Sequence, residues 1–442
     1  MSSEWAGRRL HFVGIGGAGM SGLALVAHAL GATVTGSDRA PGSPYGPRLR
    51  ALGIEPAEGH DAANVPVDAE LVVSTAIPAD NPERVVARER GQRELHRAEL
   101  LGELTRLRPT IAVTGTHGKT TTSSMLVHAL RGCGLDPAYL VGGAVRSTGS
   151  NAGWGAGEWL VVEADESDRS LLELAPAIAV LTNAELDHHT TYSSQRDVDE
   201  TFRAFLALAD RAAVVWDRPG LLALAPEGLP VLPFDAEPEL TPGGSRFELD
   251  GATVELGVPG AHNARNAAAA LTAARLAGAD PAAAAAALRD FDGAGRRFER
   301  LGTTPRGAAV VDDYAHHPTE VAATIEAART LAPRRVIAVF QPHLYSRTAR
   351  QADEFGAALA AADAVVVLDV YPARERAEDF PGVDGLLVAR AAADAAGGRP
   401  VAWLPSLEQA AAVLSTRVGD GDLVLTLGAG DVDRLGRALV AG

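Results

Sequence analysis

The chain has 442 residues, 47% hydrophobic and 22% charged, a balance typical of a globular protein large enough for two to four domains. Its 40 basic and 56 acidic side chains give a formal charge of −16, which disfavours non-specific binding to nucleic acid or to anionic lipid. With a single cysteine, Cys133, and no apolar stretch near the roughly 20 residues that span a bilayer, we expect a cytoplasmic protein without disulfides or a membrane partner.

Apolar runs alternate with helix-like stretches in three successive blocks, which is the pattern of parallel β-sheets. The first block opens with the apolar run 10–16, a glycine-rich turn and a helix-like stretch. Further strands are predicted at 32–38 and 71–77, before charged, helix-favouring sequence. These features predict a first α/β domain over residues 1–107.

The second block is predicted to form a domain over residues 108–296. Its predicted strands lie at 110–115, 159–166 and 177–185. FELDGATVEL at 247–256 predicts a hairpin, with Asp250-Gly251 as its two-residue turn. An Ala-rich helical part ends the block.

The third block predicts a domain over residues 297–442. Its apolar runs each lead into polar or glycine-rich sequence: AAVVDDYAHHP, RRVIAVFQPH, AVVVLDVYP and DLVLTLGAGD. The three blocks together predict an α/β protein of three domains.

GIGGAG at 14–19 follows a predicted strand and precedes a predicted helix, as the phosphate-binding turn of a dinucleotide fold does. Backbone amides near Gly16 and Gly17 could approach a diphosphate where the helix N-terminus adds positive potential. Asp38 ends the next strand, where such folds place an acid that binds a ribose. On its own, the pattern fits a nicotinamide enzyme or a tight strand–helix turn without a ligand.

GTHGKT at 115–120 is a more specific motif, because it lies between an apolar strand and a helix as a phosphate loop must. The loop amides would bind phosphates, Lys119 would reach the β- and γ-phosphate oxygens, and the Thr120 hydroxyl would bind Mg²⁺. Lys119 is the single lysine among 40 basic residues, which favours a functional role. Val113 stands where the usual pattern has its first glycine, which indicates a subfamily with a shorter loop.

Two metal-binding candidates also follow predicted strands of the second block. Glu163 ends the run LVVE, where an acid beside a phosphate loop commonly binds a metal or positions water. His188 follows IAVLTN, and a neutral imidazole suits Mn²⁺ and tolerates Mg²⁺. A satisfied structural histidine is the alternative for His188.

Further polar candidates lie just before the third block or inside it. Arg296 and Arg297 come just before it, and guanidinium forks suit a transferring phosphoryl group, with an exposed linker charge as the alternative. DDYAHHP at 312–318 places two acids, a tyrosine and two histidines directly after a strand, which is difficult to explain as a solvated turn. His343 and Arg347 also follow a strand end.

Taken together, these motifs resemble the Mur ligase family of bacterial cell-wall synthesis. The resemblance runs in order over essentially the whole chain, through HFVGIGGAGMSG, STAIP, HRAELL, TGTHGKTTT, EADESD, TN-x-E-x-DH, HN-x-x-N, GRRFE, DDYAHHPTE, FQPH-x-x-SR and GAGD. Eleven ordered motifs are far more specific than any one of them.

The resemblance implies a Rossmann-like domain that binds a UDP-sugar, a central P-loop ATPase α/β domain, and a C-terminal Rossmann-like domain that brings an amino acid. The motif set is most similar to that of the members that join L-alanine to UDP-N-acetylmuramate. It implies ATP and Mg²⁺ (or Mn²⁺) as cofactors, small-molecule substrates as the partners, and a monomer or homodimer.

The resemblance also implies roles for individual residues. Contacts to the UDP-sugar are implied for Gly16, Gly17, Ala18, Gly19, Asp38, Ser74, Thr75, Ala76, Ile77, His96, Arg97 and His117. Contacts to ATP are implied for Gly115, Thr116, His117, Gly118, Lys119, Thr120, Thr121, Asn263, Asn266, Arg297 and Asp313. The implied amino-acid contacts are Tyr314, His316, His343 and Arg347, and the implied metal ligands are Thr120, Glu163 and His188.

The chain departs from the family pattern at two positions. Many members have a basic residue where Leu344 stands, so the alanine carboxylate would depend mainly on Arg347; many also have an acid where Thr190 stands. Relatives that add later amino acids commonly bridge metals with a carbamylated lysine. Because Lys119 already belongs to the phosphate loop and is the only lysine, His188 would have to serve instead.

The implied reaction phosphorylates the lactyl carboxylate with ATP, after which the alanine amine attacks the acyl phosphate. The incoming ammonium must first lose a proton, and a histidine has a suitable pKa for that step. We favour His316, with His317 and His343 as alternatives. Lys119, Arg297, His316 and His343 are therefore the candidate catalytic residues.

The sequence leaves three other functions as alternatives. A ligase that attaches a whole tripeptide to the same sugar nucleotide shares most motifs, but SDRS after EADE and the context of DDYAHHPTE favour alanine. A nicotinamide oxidoreductase leaves the phosphate loop and the histidines unexplained. A nucleotide sensor without catalysis fits poorly with so many intact site residues.

Overall fold

The computed structural model describes residues 5–39 and 43–442. The chain divides into two compact units. The first comprises the residues up to Ala184, Asp199–Phe234 and Ala269–Ala284. The second comprises Glu185–Val198, Asp235–Ala268 and Ala285–Gly442.

The first unit begins with a sheet of five parallel strands. The strands are β1 Arg9–Val13, β2 Thr33–Asp38, β3 Ala57–Glu58, β4 Glu70–Val73 and β5 Glu94–His96, in the order β3-β2-β1-β4-β5. The helices of this part are α1 Ala18–Ala29, α2 Gly46–Ala51, α3 Pro82–Glu89 and α4 Arg97–Thr105. Residues 10–13 of the central strand are all buried, as expected for a parallel strand covered on both faces.

A second sheet in this unit carries the phosphate loop. Its strands are β6 Thr110–Thr114, β7 Ala138–Val145, β8 Ser150–Gly153, β9 Leu160–Glu163, β10 Ile178–Leu181, β11 Ala212–Trp216 and β12 Val231–Phe234. Their order is β12-β11-β10-β6-β9-β7-β8, parallel except for β8. The helices that follow these strands in the chain are α5 Lys119–Gly132, α6 Gln195–Leu206 and α7 Pro219–Leu222. Every residue of β6 is buried, which fixes the start of the loop after it.

The predicted hairpin is confirmed in the second unit. The antiparallel strands are β13 Glu239–Thr241, β14 Gly244–Leu249 and β15 Ala252–Leu256. Asp250 and Gly251 have φ values of 51° and 78°, as a two-residue hairpin turn of the primed type requires. The sequence did not reveal β13, a three-residue strand with all its side chains exposed. The helices α8 Ala261–Leu276 and α9 Pro281–Leu288 follow in the chain.

The rest of the second unit is a six-stranded sheet with helices on both faces. The strands are β16 Glu299–Thr303, β17 Ala309–Asp313, β18 Arg335–Phe340, β19 Ala364–Val367, β20 Val401–Trp403 and β21 Asp422–Leu427, in the order β16-β17-β21-β18-β19-β20. The helices are α10 Pro318–Arg329, α11 Tyr345–Leu359, α12 Gly385–Ala395, α13 Leu407–Arg417 and α14 Asp433–Ala441. Only the edge strand β16 is antiparallel to its neighbour.

Strand β18 shows why the predicted apolar runs are nearly continuous. Val336, Ala338 and Phe340 belong to the core on one face of the sheet, and Ile337 and Val339 belong to the core on the other. A strand buried on both faces needs apolar residues at successive positions.

The α/β class with parallel sheets is thus confirmed, while the exact domain boundaries at 107 and 296 stay a prediction. In the part of the chain that the structure describes, no helix combines the length and apolar character needed to cross a bilayer.

Candidate active site

The phosphate loop joins β6 to α5, and two glycines give it its shape. Gly115 has a φ of 135° and Gly118 a φ of 83°, both in the region that glycine tolerates best. A Cβ on Gly115 would lie 2.1 Å from Thr182 Oγ1. The first glycine of the motif is therefore required by space as well as by backbone conformation.

Thr182 and Asn183, which follow β10, hold this loop from the side. Thr182 Oγ1 donates to the carbonyl of His117 at 2.7 Å, and Asn183 Nδ2 donates to the same oxygen at 2.8 Å. In return, His117 N donates to Asn183 Oδ1 at 3.0 Å. Since His117 is anchored by its backbone, its ring lies beside the phosphate loop, next to Asn183.

Replacing Gly115 by alanine is expected to lower kcat/KM for ATP by about 100-fold, because displacing a reacting group by about 1 Å has an effect of this size. Gly134, near the other end of α5, is the matched control: its φ is 75°, and nothing lies within 4 Å of a Cβ built there. Both substitutions introduce left-handed strain of about 1–2 kcal/mol, measurable by thermal unfolding. Equal ATP kinetics for the two variants would show that the close contact of Gly115 with Thr182 does not matter for ATP use.

Lys119 begins α5 and lies among carboxylates. Its Nζ donates to the carbonyl oxygens of Gly115 at 2.7 Å and Thr116 at 3.1 Å, and it forms a 2.8 Å ion pair with Glu166. Burial opposes the charge, but the nearby carboxylates, Glu166 and Asp165 foremost, outweigh it and raise the pKa of Lys119. The lysine is therefore a permanent cation at neutral pH, which suits it to phosphate oxygens.

Thr120 and Glu163 together provide hard oxygen donors. Thr120 Oγ1 donates to Glu163 Oε1 at 3.0 Å, and Gly142 N holds the other carboxylate oxygen at 2.7 Å. A hydroxyl and a carboxylate at this spacing fit Mg²⁺, which binds few protein oxygens and takes its other ligands from phosphates and water. Among the described residues, no group of three or more His, Cys, Asp or Glu side chains is placed to hold a metal ion.

The glycine-rich turn between β1 and α1 is built around Asp38. Gly16 N donates to Asp38 Oδ2 at 2.7 Å, and a Cβ on Gly16 would lie 2.8 Å from that oxygen. Residues 74–77 form a turn after β4, in which Ile77 N donates to the carbonyl of Ser74 at 3.0 Å. Because β1 and β4 are parallel neighbours, the two turns lie at the same edge of the sheet.

Arg97 links this turn to the phosphate-loop region of the first unit. Its Nη2 donates to Asp168 at 2.9 Å and to Asp165 at 3.3 Å. A cavity of about 250 Å³ is lined by Gly19, Arg97 and Glu163, among others. The structure therefore places residues predicted to contact the UDP-sugar and a residue predicted to bind the metal around one cavity.

The remaining candidates of the first unit have mainly structural contacts. The side chain of His96 caps α4, and its pKa is lowered by burial and by Arg97. The carbonyl of Ala18 accepts from Asn151 Nδ2 at 2.6 Å. Thr121 is buried in the first turn of α5, while Thr75 and Ala76 are exposed.

In the second unit, the two adjacent arginines have different surroundings. Both guanidinium groups lie 5.1 Å from the centre of the Tyr314 ring. Arg296 donates to Asp312 and to the carbonyls of Gly428 and Gly430, each at 2.9 Å. Since the donors of Arg296 are engaged within the fold, Arg297 is the better candidate for a phosphate.

Asp313, at the end of β17, is held by backbone amides. Phe298 N donates to one carboxylate oxygen at 2.7 Å and Ala315 N to the other at 2.8 Å. Burial raises the pKa of Asp313 to about 6, although Arg297 opposes the shift. Asn263 and Asn266, the other predicted ATP contacts of this unit, lie one turn apart on α8, and Asn266 Nδ2 donates to Asn263 Oδ1 at 3.3 Å.

His316 is held as a neutral base. Its Nδ1 lies 2.9 Å from the carbonyl oxygen of Tyr314, which can only accept, so Nδ1 carries the proton and Nε2 carries the lone pair. Burial lowers the pKa of His316 to about 4; Glu320 opposes this shift and Arg347 reinforces it. His316 is therefore neutral near pH 7.

The two alternative histidines are engaged differently. Both ring nitrogens of His317 are occupied, since Nδ1 accepts from Thr319 N and Nε2 lies 3.3 Å from Gln351 Nε2, and its side chain caps α10. His343 stacks on Tyr371 with ring centres 5.7 Å apart. Burial, then His316 and Arg347, lower the pKa of His343 to about 3. These contacts favour His316 over both.

The predicted amino-acid residues form one cluster in the second unit. The ring centre of His316 lies 5.3 Å from that of Tyr314 and 6.2 Å from that of His343. Arg347 Nη1 lies 3.4 Å from His343 Nδ1. His188 also lies in this unit, with a left-handed φ of 49°.

Sequence reasoning missed four residues that support these sites. They are Glu166 beside Lys119, Asn183 beside the phosphate loop, Asp187 beside Arg347, and Glu320 beside His316. The first three follow the ends of β9 or β10 inside motifs already recognised, and Glu320 is the third residue after the cap of α10. Strand ends and the capping-box spacing were the available signals.

A phosphate loop at the central strand of a parallel sheet, a lysine and an adjacent hydroxyl–carboxylate pair define a nucleotide-dependent α/β enzyme. Family models match nearly the whole chain: "Mur ligase family, catalytic domain" over residues 9–108, "Mur ligase middle domain" over 113–274 and "Mur ligase, glutamate ligase domain" over 296–430. The chain belongs to the Mur ligase family.

Individual relatives are similar over almost their full length. The UDP-N-acetylmuramate–L-alanine ligase of Renibacterium salmoninarum is 46% identical, covering 98% of this chain and 95% of that one. The enzyme of the same name from Rubrobacter xylanophilus is 46% identical, covering 98% and 99%. Among solved structures, UDP-N-acetylmuramate–alanine ligase from Thermotoga maritima has a TM-score of 0.82 at 29% identity, and a murein peptide ligase from Psychrobacter arcticus has 0.72 at 25%, each covering 98% of both chains.

Proposed function

We propose that this enzyme joins L-alanine to the lactyl carboxylate of UDP-N-acetylmuramate, with conversion of ATP to ADP and phosphate, in the synthesis of peptidoglycan precursors. The observation that carries the proposal is the 46% identity, over 98% of the chain, to an enzyme named for this reaction. The phosphate loop with Lys119, Thr120 and Glu163 supports the use of ATP. We expect the enzyme to act in the cytoplasm as a monomer or homodimer.

The chemistry proceeds in two displacements. A lactyl carboxylate oxygen attacks the γ-phosphorus of ATP, the bond to the β–γ bridging oxygen breaks, and ADP leaves. The alanine nitrogen then attacks the carbonyl carbon of the acyl phosphate, and the tetrahedral intermediate expels phosphate. Lys119 and Arg297 are the cations of this chain proposed to stabilise the charge on the transferring group, since such transfer depends on positioning and charge neutralisation.

Thr120 and Glu163 are the residues proposed to hold Mg²⁺ (or Mn²⁺), with His188 as a further candidate ligand. The metal would neutralise charge on the phosphate oxygens of ATP. Within the protein, Gly142 N fixes the Glu163 carboxylate, so this donor keeps its orientation beside the hydroxyl.

His316 is the proposed base for the alanine ammonium. Its Nε2 lone pair is defined by the hydrogen bond of Nδ1 to the Tyr314 carbonyl. Burial lowers its pKa to about 4, so the imidazole is unprotonated at neutral pH but is a weaker base than an ordinary histidine. The proposed role is therefore supported by the available Nε2 lone pair and by the place of the ring in the predicted amino-acid cluster.

The sugar nucleotide is proposed to bind in the first unit, along the turn at 16–19, Asp38, residues 74–77, His96, Arg97 and His117. The diphosphate would use the N-terminus of α1, because the predicted amides of Gly16 and Gly17 already donate to Asp38 Oδ2 and to the carbonyl of Gly14. Arg97 would add charge from the cavity it shares with Glu163.

The substrate panel that tests the proposal measures phosphate release from ATP with UDP-N-acetylmuramate and, in turn, L-alanine, glycine, L-serine and an L-alanyl-D-glutamyl-diaminopimelate tripeptide. We expect the highest kcat/KM for L-alanine, with the mass of UDP-N-acetylmuramoyl-L-alanine in the product. Phosphate release with the tripeptide but not with L-alanine would instead indicate a ligase that adds the tripeptide.

A further inference from the structure

Arg347 is held in the second unit by a two-point ion pair. Its Nε lies 3.0 Å from Asp187 Oδ1, and its Nη2 lies 3.0 Å from Asp187 Oδ2. The two side chains are separated by 160 positions in the chain, and only 4% and 3% of their surfaces are exposed. This is the fork-to-fork geometry that fixes a guanidinium most firmly.

The ion pair uses two of the five N–H donors of the guanidinium. Asp187 takes the Nε–Nη2 edge, and the donors at the Nη1 end lie on the side away from Asp187. The remaining nitrogen, Nη1, lies 3.4 Å from both Nδ1 and the carbonyl oxygen of His343. The Nη1 end of Arg347 therefore lies at the cluster of predicted amino-acid contacts.

Asp187 is itself fixed by the turn that follows β10. His188 N donates to Asp187 Oδ1 at 2.7 Å, and the amides of Thr191 and Tyr192 both donate to the carbonyl of His188. Asp187 thus sets the position of Arg347 from a segment that also carries His188.

We propose that Asp187 is a positioning residue for the amino-acid substrate: it holds Arg347 so that the Nη1 end of the guanidinium binds the substrate carboxylate, beside His343. This inference rests on the proposed function and deepens it, because it describes how the amino-acid site recognises its ligand.

The test uses Asp187→Asn, which keeps the shape of the side chain and removes its charge. We expect KM for L-alanine to rise by at least about tenfold, since small displacements of a binding group have effects of this order. KM for ATP and for UDP-N-acetylmuramate should remain within about twofold, because the displaced arginine serves only the amino acid.

A double-mutant cycle tests whether Asp187 affects L-alanine binding through Arg347. Arg347→Gln should also raise KM for L-alanine, and adding Asp187→Asn to it should raise KM no further, because the group being positioned is already absent. Additive increases in the double variant would overturn the inference.

Asp422→Asn is the matched control. Asp422 is also a buried carboxylate paired with arginines, Arg334 and Arg335, but it begins β21, at the end of the sheet opposite to the strand ends that carry the site. The Asp422→Asn substitution should lower the melting temperature of the protein and leave KM for L-alanine unchanged. If Asp187→Asn behaves in the same way, the pair is only structural and the inference is wrong.

A second variant and a wild-type measurement cover the cases in which Asp187→Asn does not fold or the proposed function is wrong. Should Asp187→Asn fail to fold, Asp187→Glu retains the charge but lengthens the side chain by one methylene, and it should give the same selective rise in KM. Wild-type turnover with L-alanine is measured first: its absence overturns the proposed function, whereas normal wild-type turnover with an unchanged KM in the variants overturns this inference alone.

Discussion

Replacing Lys119 by methionine is expected to lower phosphate release by about 100- to 1,000-fold, the effect of removing one charged donor from a transition state. Lys119 is the only lysine of the chain, begins α5 and carries its charge at neutral pH because carboxylates around it outweigh its burial. ATP keeps its loop amides in this variant, so nucleotide binding should weaken less than turnover. Phosphate release at saturating substrates is the measurement.

The control variants distinguish the effect of the Lys119 charge on turnover from its effect on folding stability. Lys119→Met leaves Glu166 buried without its cation, and unpairing a buried charge costs about 3–5 kcal/mol of folding free energy. The double variant Lys119→Met/Glu166→Gln should recover stability without recovering turnover. Arg131→Met, at the exposed far end of α5, should change neither. If Lys119→Met turns over within tenfold of the wild-type rate, Lys119 does not stabilise the transition state.

Replacing His316 by alanine should lower kcat at saturating L-alanine by about 100- to 10,000-fold, the usual contribution of a positioned base. The hydrogen bond to the Tyr314 carbonyl uses Nδ1, so it leaves the Nε2 lone pair of His316 able to accept a proton. His28→Ala, in the last turn of α1, is the matched control and should be neutral. His317→Ala should mainly lower stability, by about 1 kcal/mol, because the cap of α10 is lost. Near-normal turnover of His316→Ala would contradict the assignment.

The same histidine makes stability depend on pH in a defined direction. Burial holds the pKa of folded His316 near 4, below the usual histidine value of 6.5, so the unfolded state binds more protons than the folded state between these two pH values. The free energy of unfolding is therefore expected to rise as pH increases from about 4 to about 6.5, and His316→Ala should flatten that rise. Urea unfolding at several pH values checks the slope, and an unchanged slope would exclude a buried neutral His316.

The sequence predicted those parts of the fold that depend on local pattern. Continuous apolar runs marked the central strands because both faces of a parallel sheet are covered, and Asp250-Gly251 marked its hairpin because the turn needs positive φ at both residues. The edge strands β8 and β16 pair antiparallel, and β13 is exposed throughout. Edge strands and exposed strands bury few side chains, so the sequence shows little hydrophobic pattern from which they could be predicted.

The site could be predicted to the level of strand ends but not to that of individual partners. Glu163 and Glu166 stand in the same acidic run, and only the backbone after β9 decides that Glu166 pairs with Lys119 and Glu163 with Thr120. The contact of Asp187 with Arg347 spans 160 positions, and no local spacing encodes it. Such pairings depend on tertiary packing, which a single sequence does not show.

The most direct measurement uses UDP-N-acetylmuramate labelled with ¹⁸O in its lactyl carboxylate, incubated with ATP, Mg²⁺ and L-alanine. We expect one ¹⁸O atom in each phosphate released, together with the mass of the alanine amide, because the carboxylate oxygen attacks phosphorus and leaves with it. Both signals should require L-alanine at full turnover. Unlabelled phosphate, or ATP breakdown without the amide product, would contradict ligation through an acyl phosphate.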